Sequence, residues 1–119
     1  MKESLVQWTL LQNLDFLSKQ LNFEIASKRG QEITTDYGKI DFILENSNKK
    51  QLVVELETIL NTKDKLTYCF SQILNYKNVS FAPQTEYCIL YADETNLKSR
   101  NEIAAFSRDN GIIEKTYSI

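Results

Sequence analysis

The chain has 119 residues, of which 42% are hydrophobic and 25% are charged, the composition of an ordinary globular domain. This length provides one hydrophobic core and is too short for two, so we expect a single domain over residues 1–119. The net charge of −2 is unusual for a nucleic-acid-binding protein and counts against that class. The chain has no histidine, which excludes histidine-based catalytic triads and histidine metal sites.

Location and redox state follow from the apolar runs and the cysteines. No apolar run approaches the roughly 18 residues of a membrane span, and the first residues lack a secretory hydrophobic region. We therefore expect a cytoplasmic protein without a membrane segment. Cys69 and Cys88 lie in apolar settings on a predicted helix and a predicted strand, and we expect both to be structural thiols.

The chain opens with a predicted helix from Glu3 to Gln20 that has a broad buried face. Its apolar positions are Leu5, Val6, Trp8, Leu10, Leu11, Leu14, Phe16 and Leu17. A first strand is predicted from Phe23 to Thr35, bent near Gly30, where glycine permits a bulge or a tight turn. Lys28 and Arg29 could reach phosphate from this edge or simply lie in an exposed turn.

A turn at residues 36–38 leads into two short runs of period-two alternation, residues 38–44 and 52–57, and each predicts a strand with one face in a core. In the first run, Ile40, Phe42 and Leu44 share a face, and Asp41 points to the other. In the second, Leu52, Val54 and Leu56 share a face, and Val53, Glu55 and Glu57 oppose them. The connection, residues 45–50, is rich in turn formers, so the strands most simply form an antiparallel hairpin.

The hairpin gathers carboxylates on one face. With its centre near Ser47 and Asn48, Asp41 falls opposite Val54 or Glu55 at about 5 Å, and Glu57 lies two residues further along. Three carboxylates on one face repel one another unless something positive lies between them. A divalent cation would resolve the repulsion, and an all-oxygen ligand set favours magnesium or manganese over zinc.

A second helix is predicted from Lys63, with Thr62 as its N-cap. Its buried stripe consists of Leu66, Cys69, Phe70, Ile73 and Leu74. Gln72 and Tyr76, four residues apart, share another face of the same helix.

The last third of the chain contains a loop at Pro83, a strand over residues 86–92 buried on both faces, a helix from Leu97 to Asn110 and a strand over residues 112–119. Gly111 provides the helix stop. The predicted order is αβββαβαβ. This order predicts an α/β fold with a mixed sheet of four to five strands flanked by helices.

The hairpin and the helix after it together resemble the PD-(D/E)xK nuclease superfamily. That family carries an acidic residue on one strand, an (Asp/Glu)-x-Lys triplet on the next and, in many members, Gln-x-x-x-Tyr on the following helix. Asp41 takes the first place, Glu55-Leu56-Glu57 the second, and Gln72 and Tyr76 the third. Glu57 stands where the family usually has lysine, and some restriction endonucleases of the superfamily carry Glu or Gln there and remain active.

The resemblance implies a restriction-endonuclease-like core and a site that binds Mg²⁺ or Mn²⁺. Asp41 and Glu55, with the backbone carbonyl of Leu56, would hold the metal, and Glu57 would orient or deprotonate the attacking water. Alternatively, Lys63 or Lys65 would supply the missing positive charge.

The resemblance also gives roles to neighbouring residues. Gln72 and Tyr76 would contact the nucleic-acid strand or orient the acids. The opening helix of this fold sometimes lends one more acid, for which Glu3 and Asp15 are the candidates, although we expect both to be surface positions.

The function predicted in this way is that of a metal-dependent nuclease. Its expected substrate among nucleic acids is DNA, in restriction, repair, mobile-element or defence processes. At this size, we expect a homodimer or a subunit of a larger assembly. One alternative is a catalytically decayed nuclease-fold module that acts by binding, with Glu57 as the sign of decay. Another is an unrelated small α/β domain in which Asp41 and Glu55 are far apart or exposed.

Overall fold

The computed structural model describes residues 2–35, 38–78 and 84–119, with the backbone alone for residues 29–34. The predicted turn at Asp36 and Tyr37, the loop at Pro83 and the side chain of Arg29 lie outside the described part. Every helix in that part is too short or too polar to cross a membrane.

The described part of the chain contains four helices and five strands. They are α1 (Glu3–Gln12), α2 (Leu14–Leu21), β1 (Ser27–Thr35), β2 (Gly38–Glu45), β3 (Gln51–Leu56), α3 (Lys63–Tyr76), β4 (Thr85–Ala92), α4 (Leu97–Asn110) and β5 (Ile113–Tyr117). The strands form one sheet in the order β1-β2-β3-β4-β5. The first three strands are antiparallel, and β3, β4 and β5 are parallel. The predicted α/β fold, a mixed sheet flanked by helices, is confirmed.

The helices cover the two faces of the sheet in pairs. α1 and α2 pack on the face that carries Phe42, Leu44, Leu52, Val54 and Leu56. α3 and α4 pack on the opposite face, against Ile89 and Tyr91 of β4. β4 is therefore buried on both sides, as predicted. Cys69 and Cys88 are buried free thiols, as predicted for structural cysteines.

The predicted opening helix is in fact two helices. Asn13 has φ −130° and ψ 76°, and its side chain accepts the N–H of Phe16 at the start of α2. Asparagine competes for backbone hydrogen bonds in this way and favours a cap over a helix interior. The buried face is also narrower than predicted, because Leu5, Trp8 and Leu14 are exposed.

The start of the first strand was also predicted wrongly. Asn22 ends α2 in the left-handed conformation, with φ 50°, and the Ser18 hydroxyl donates to the carbonyl of Phe23. These contacts tie residue 23 to the helix end, so β1 begins only at Ser27. The bulge predicted near Gly30 is confirmed, because the β1–β2 register shifts between Lys28 and Gly30.

Two side chains lie in environments other than those predicted. Ile40, expected on the Phe42 face, packs with Ile43, Val53 and Tyr76, at the end of β2 that lies beyond the β2–β3 ladder. Leu74 of α3 is 39% exposed rather than buried. The buried stripe of α3 continues instead from Ile73 to Tyr76, three residues further along. The caps predicted at Thr62 and Gly111 are confirmed.

Candidate active site

The β2–β3 hairpin has the predicted geometry. Phe42 pairs with Val54, and Ile43 with Val53, so one further step in the same register places Asp41 opposite Glu55. At that step the backbone ladder gives way to a side-chain bond, in which Asp41 Oδ2 accepts the N–H of Leu56 at 2.7 Å. A main-chain donor therefore fixes the Asp41 carboxylate at the end of the hairpin.

Four carboxyl groups meet at this end of the sheet, and we call Glu3, Asp41, Glu55 and Glu57 the acid cluster. The Asp41 side chain hydrogen-bonds both Glu3 and Glu55. Glu57 feels the charges of Glu3 and Asp41 and hydrogen-bonds the Cys69 thiol. The cluster joins α1 from one face of the sheet with the β2–β3 hairpin and α3 from the other.

Glu55 is the most buried member of the acid cluster, at 5% exposure. Its Oε2 atom is buried and has no hydrogen-bond partner among the described residues. A buried polar atom without a partner costs about 1–3 kcal/mol. Such an atom needs a physical explanation, and in a cluster of carboxyl groups it is a candidate ligand for a cation.

Burial and mutual repulsion raise the pKa values in the acid cluster. Burial is the largest cause for Glu55, followed by the charge of Asp41 and the hydrogen bond to it, and together they raise its pKa from 4.5 to about 11. Burial, then Glu3 and Asp41, raise the pKa of Glu57 to about 8. Partial burial, then Asp41, raises the pKa of Glu3 to about 7. Without a cation, the acid cluster therefore holds protons at neutral pH.

Of the two lysines proposed to supply positive charge, Lys65 acts on the acid cluster. Its charge, together with the hydrogen bond from Cys69, opposes the rise in the pKa of Glu57. Lys63 is exposed at the start of α3, and no described contact links it to the carboxyl groups. Asp15, the other candidate from the opening helices, is exposed on α2, as expected.

Gln72 and Tyr76 are residues of α3, and both side chains lie beside the hairpin. The Tyr76 hydroxyl donates to the carbonyl of Lys39 at 2.6 Å, and its ring is buried. Burial, then the charges of Glu55 and Asp41, raise the pKa of Tyr76. Gln72 packs so close to Gly38 that a Cβ there would lie 2.6 Å from Oε1. The buried Tyr76 is placed to support the hairpin.

The donor set of the acid cluster suits a hard cation, because it consists of carboxylate oxygens. The geometry is not that of a finished metal site: no three acidic or thiol side chains in the described ranges converge as metal ligands. Asp41 instead bonds Glu3 and Glu55, as carboxyl groups that share protons do. A cation would have to displace those protons and turn the side chains toward itself.

Two members of this site were missed or misjudged from the sequence. Glu3 was expected at the surface and is exposed, yet its carboxyl reaches Asp41. The position of α1 across the sheet end brings it there, and the resemblance to nucleases was the available signal. The hydrogen bond between the Cys69 thiol and Glu57 could not be predicted from the sequence, which indicated only that Cys69 is buried.

A cavity of about 340 Å³ opens next to the acid cluster, at the carboxyl ends of β3, β4 and β5. Thr58, Lys65, Asp93 and Tyr117 are among its lining residues. The Tyr117 hydroxyl donates to the carbonyl of Glu57 at 2.7 Å and so connects the cavity wall to the hairpin end. Ligands of open α/β sheets bind outside the carboxyl ends of the strands.

Comparison with known proteins gives structural neighbours only. No protein-family model and no curated protein matches the chain. A repair endonuclease from Pyrococcus abyssi superposes with a TM-score of 0.60 and 11% identity over 92% of this chain and 46% of that one. The EndoMS-dsDNA2 complex superposes with a TM-score of 0.57 and 12% identity, covering 92% of this chain and 44% of that one. Pyrococcus furiosus SfsA in complex with Ca²⁺ superposes with a TM-score of 0.64 and 8% identity, covering 95% of this chain and 56% of that one.

The chain thus spans about half the length of these neighbours. At such identities, the likeness concerns the fold and leaves individual residues unassigned. The chain has a nuclease-like α/β fold, consistent with the restriction-endonuclease-like core expected from its sequence.

Proposed function

We propose that the protein is a metal-dependent nuclease that hydrolyses phosphodiester bonds of DNA. The observation that carries the proposal is the acid cluster, in which four carboxyl groups meet and one buried oxygen of Glu55 has no partner. The fold adds support, because one neighbour is a repair endonuclease and another was solved with double-stranded DNA.

The resident cation would be Mg²⁺ or Mn²⁺. Asp41 and Glu55, with the backbone carbonyl of Leu56, would hold it. When bound, such an ion neutralises charge on the scissile phosphate and lowers the pKa of a coordinated water. One neighbour of the same fold was solved in complex with Ca²⁺, a divalent cation that also takes oxygen ligands.

The side chains of the site divide the remaining work. The Leu56 N–H holds Asp41 in one orientation. Burial, then Glu3 and Asp41, raise the pKa of Glu57 to about 8 in the metal-free protein. A bound cation would lower this pKa, and the deprotonated Glu57 could then accept a proton from water. Lys65, at the cavity wall, can attract the phosphate. Gln72 and Tyr76 orient the hairpin that carries the acids.

Incubation with plasmid, single-stranded DNA and RNA tests the proposal, in Mg²⁺ and in Mn²⁺ with an EDTA control. Cleavage should require the metal and should be lost in Asp41→Asn and in Glu55→Gln. Glu102→Gln on the exposed side of α4 is the matched control and should cleave normally. Full activity in both site variants would refute the assignment.

A second candidate is a catalytically decayed module that binds nucleic acid or protein. The observation in its favour is that no three acidic or thiol side chains of the described ranges converge as metal ligands, while Glu57 occupies the place of the family lysine. Titration with Mn²⁺ separates the two candidates. A decayed site should bind the ion weakly and with no difference between the wild type and Glu55→Gln.

We also propose that the chain works as a homodimer or as part of a larger assembly. The described residues form the size of fold expected for a nuclease core alone, to which a second copy or another subunit would add DNA-binding surface. Light scattering coupled to size exclusion tests this directly, and a monomer on DNA would contradict it.

A further inference from the structure

A groove of about 620 Å³ runs along the free edge of β5, on the far side of β4 from the hairpin. Side chains from both helical layers line it. Lys19 comes from α2, Leu97 and Arg100 from α4, and Lys115 with Glu114 from β5, over Tyr91 of β4. We call this surface the basic groove.

The charge of the basic groove is opposite to that of the whole chain. Lys19, Arg100 and Lys115 face one carboxylate, Glu114, in a chain of net charge −2. No ion pair between described residues includes any of these three cations. Because the cations come from three separate elements, the fold itself brings them together, and their charge is available to an anionic partner.

Buried contacts fix part of the basic groove. Tyr91 is 1% exposed, and its hydroxyl donates to Glu114 Oε2 at 2.6 Å. The Arg100 side chain hydrogen-bonds the same hydroxyl, so a buried tyrosine orients both charged groups. Leu97 is 72% exposed beside them, which adds an apolar surface suited to a sugar ring.

We propose that the basic groove binds the sugar-phosphate backbone of the nucleic acid that the acid cluster cleaves. The inference rests on the proposed nuclease function and adds a second contact to it. β5 lies two strand positions from β3, which is about 10 Å. Phosphates of one strand follow one another by about 3.4 Å along the helix axis. The groove would therefore hold phosphates a few nucleotides from the bond being cut.

An extended acidic peptide that adds a strand to β5 is the competing occupant. Lys115 lies in the middle of this five-residue edge strand, and lysine in an edge strand is a feature that discourages strand addition. Lys19 and Arg100 come from helices, and strand addition does not need them. Backbone phosphates use all three cations, so nucleic acid fits the groove better.

The test is the affinity for a fluorescent DNA duplex of about 20 base pairs, measured by anisotropy in EDTA so that no cleavage occurs. The variant carries Lys19→Gln, Arg100→Gln and Lys115→Gln. Each lost phosphate contact should reduce affinity on the order of tenfold at about 0.1 M salt and should lower the salt slope by about 0.9. Lys49→Gln, Lys50→Gln and Arg108→Gln remove the same charge elsewhere and form the matched control.

Lys19→Gln alone changes one exposed side chain and should reduce affinity on the order of tenfold even if the triple variant does not fold. Equal losses in the groove and control variants would overturn the proposal, as would an unchanged affinity in both. A higher affinity for a polyglutamate peptide than for DNA, lost in the groove variant, would also overturn it. Groove-dependent DNA binding without any cleavage in Mg²⁺ or Mn²⁺ would support the groove and refute the nuclease.

Discussion

Replacing Glu55 by glutamine should stabilise the metal-free protein, and increasingly so at higher pH. The carboxyl is 5% exposed, and burial followed by Asp41 raises its pKa from 4.5 to about 11. The folded protein therefore keeps a proton on Glu55 at neutral pH that the unfolded chain releases. Glutamine has the same shape, carries no charge and can still donate a hydrogen bond to Asp41. It therefore folds without the free-energy cost of holding this proton.

The size of the effect follows from the two pKa values. At pH 7, about 2.5 units above the ordinary value, keeping the proton costs about 3 kcal/mol of unfolding free energy. Because the folded-state pKa is raised, this contribution of Glu55 to stability is complete below pH 4.5 and decreases as the pH rises toward about 11. The advantage of Glu55→Gln should grow by about 1.4 kcal/mol per pH unit.

Urea unfolding of both proteins at pH 5, 6, 7 and 8 in EDTA measures this difference. Glu102→Gln on the surface of α4 is the control and should follow the wild type at every pH. A gap between Glu55→Gln and the wild type that stays constant with pH would refute the reasoning. Mn²⁺ at about 100 times its Kd should stabilise the wild type by about 2.7 kcal/mol and should not stabilise the variant. The gap at pH 7 should therefore nearly close, and at pH 5 and 6 the wild type should become the more stable protein.

Two further substitutions test the contacts that support the hairpin. Gly38→Ala should destabilise by about 1–3 kcal/mol, because φ is +128° and the new Cβ would lie 2.6 Å from the Gln72 amide oxygen. Gly111→Ala, whose Cβ would meet only Lys77 Nζ at an ordinary 4.0 Å, should cost only the left-handed backbone term of about 1 kcal/mol, and equal losses in urea unfolding would contradict the Gly38–Gln72 contact. Tyr76→Phe removes the 2.6 Å hydrogen bond from the Tyr76 hydroxyl to a β2 carbonyl and should cost about 1 kcal/mol of unfolding free energy in the same assay. Tyr68→Phe changes a side chain that is 62% exposed and is the control; an equal loss there would contradict the supporting role of Tyr76.

The hairpin and its acids could be predicted from the sequence because their signals are local. Alternation fixes which side chains oppose one another, and the short polar connection over residues 46–50 leaves little freedom in the register. Asp41 consequently lies opposite Glu55, as the spacing suggested. The caps at Thr62 and Gly111 are local in the same sense, since a side-chain oxygen or a left-handed glycine acts within a few residues.

The features that the sequence did not reveal depend on contacts between distant elements. α1 is apolar on several sides, and composition does not decide which side meets the sheet, so Trp8 was expected to be buried and is exposed. The break at Asn13 is a competition between a cap and a continued helix, and tertiary packing decides it. Glu3 joins the acid cluster only because α1 crosses the sheet end near Asp41.

Position 55 breaks the pattern of the strand that contains it, and this gives the strongest physical reason to expect a task for Glu55. All six residues of β3 are buried, and Val53, Val54 and Leu56 show what packing alone favours there. An apolar side chain at position 55 would remove the linkage cost of about 3 kcal/mol at neutral pH. Sequences that break a local rule at a cost in stability do so mainly at functional sites. A carboxyl group with a free buried oxygen, bonded to Asp41 and repelled by its neighbours, is unfavourable for folding alone and suited to a cation.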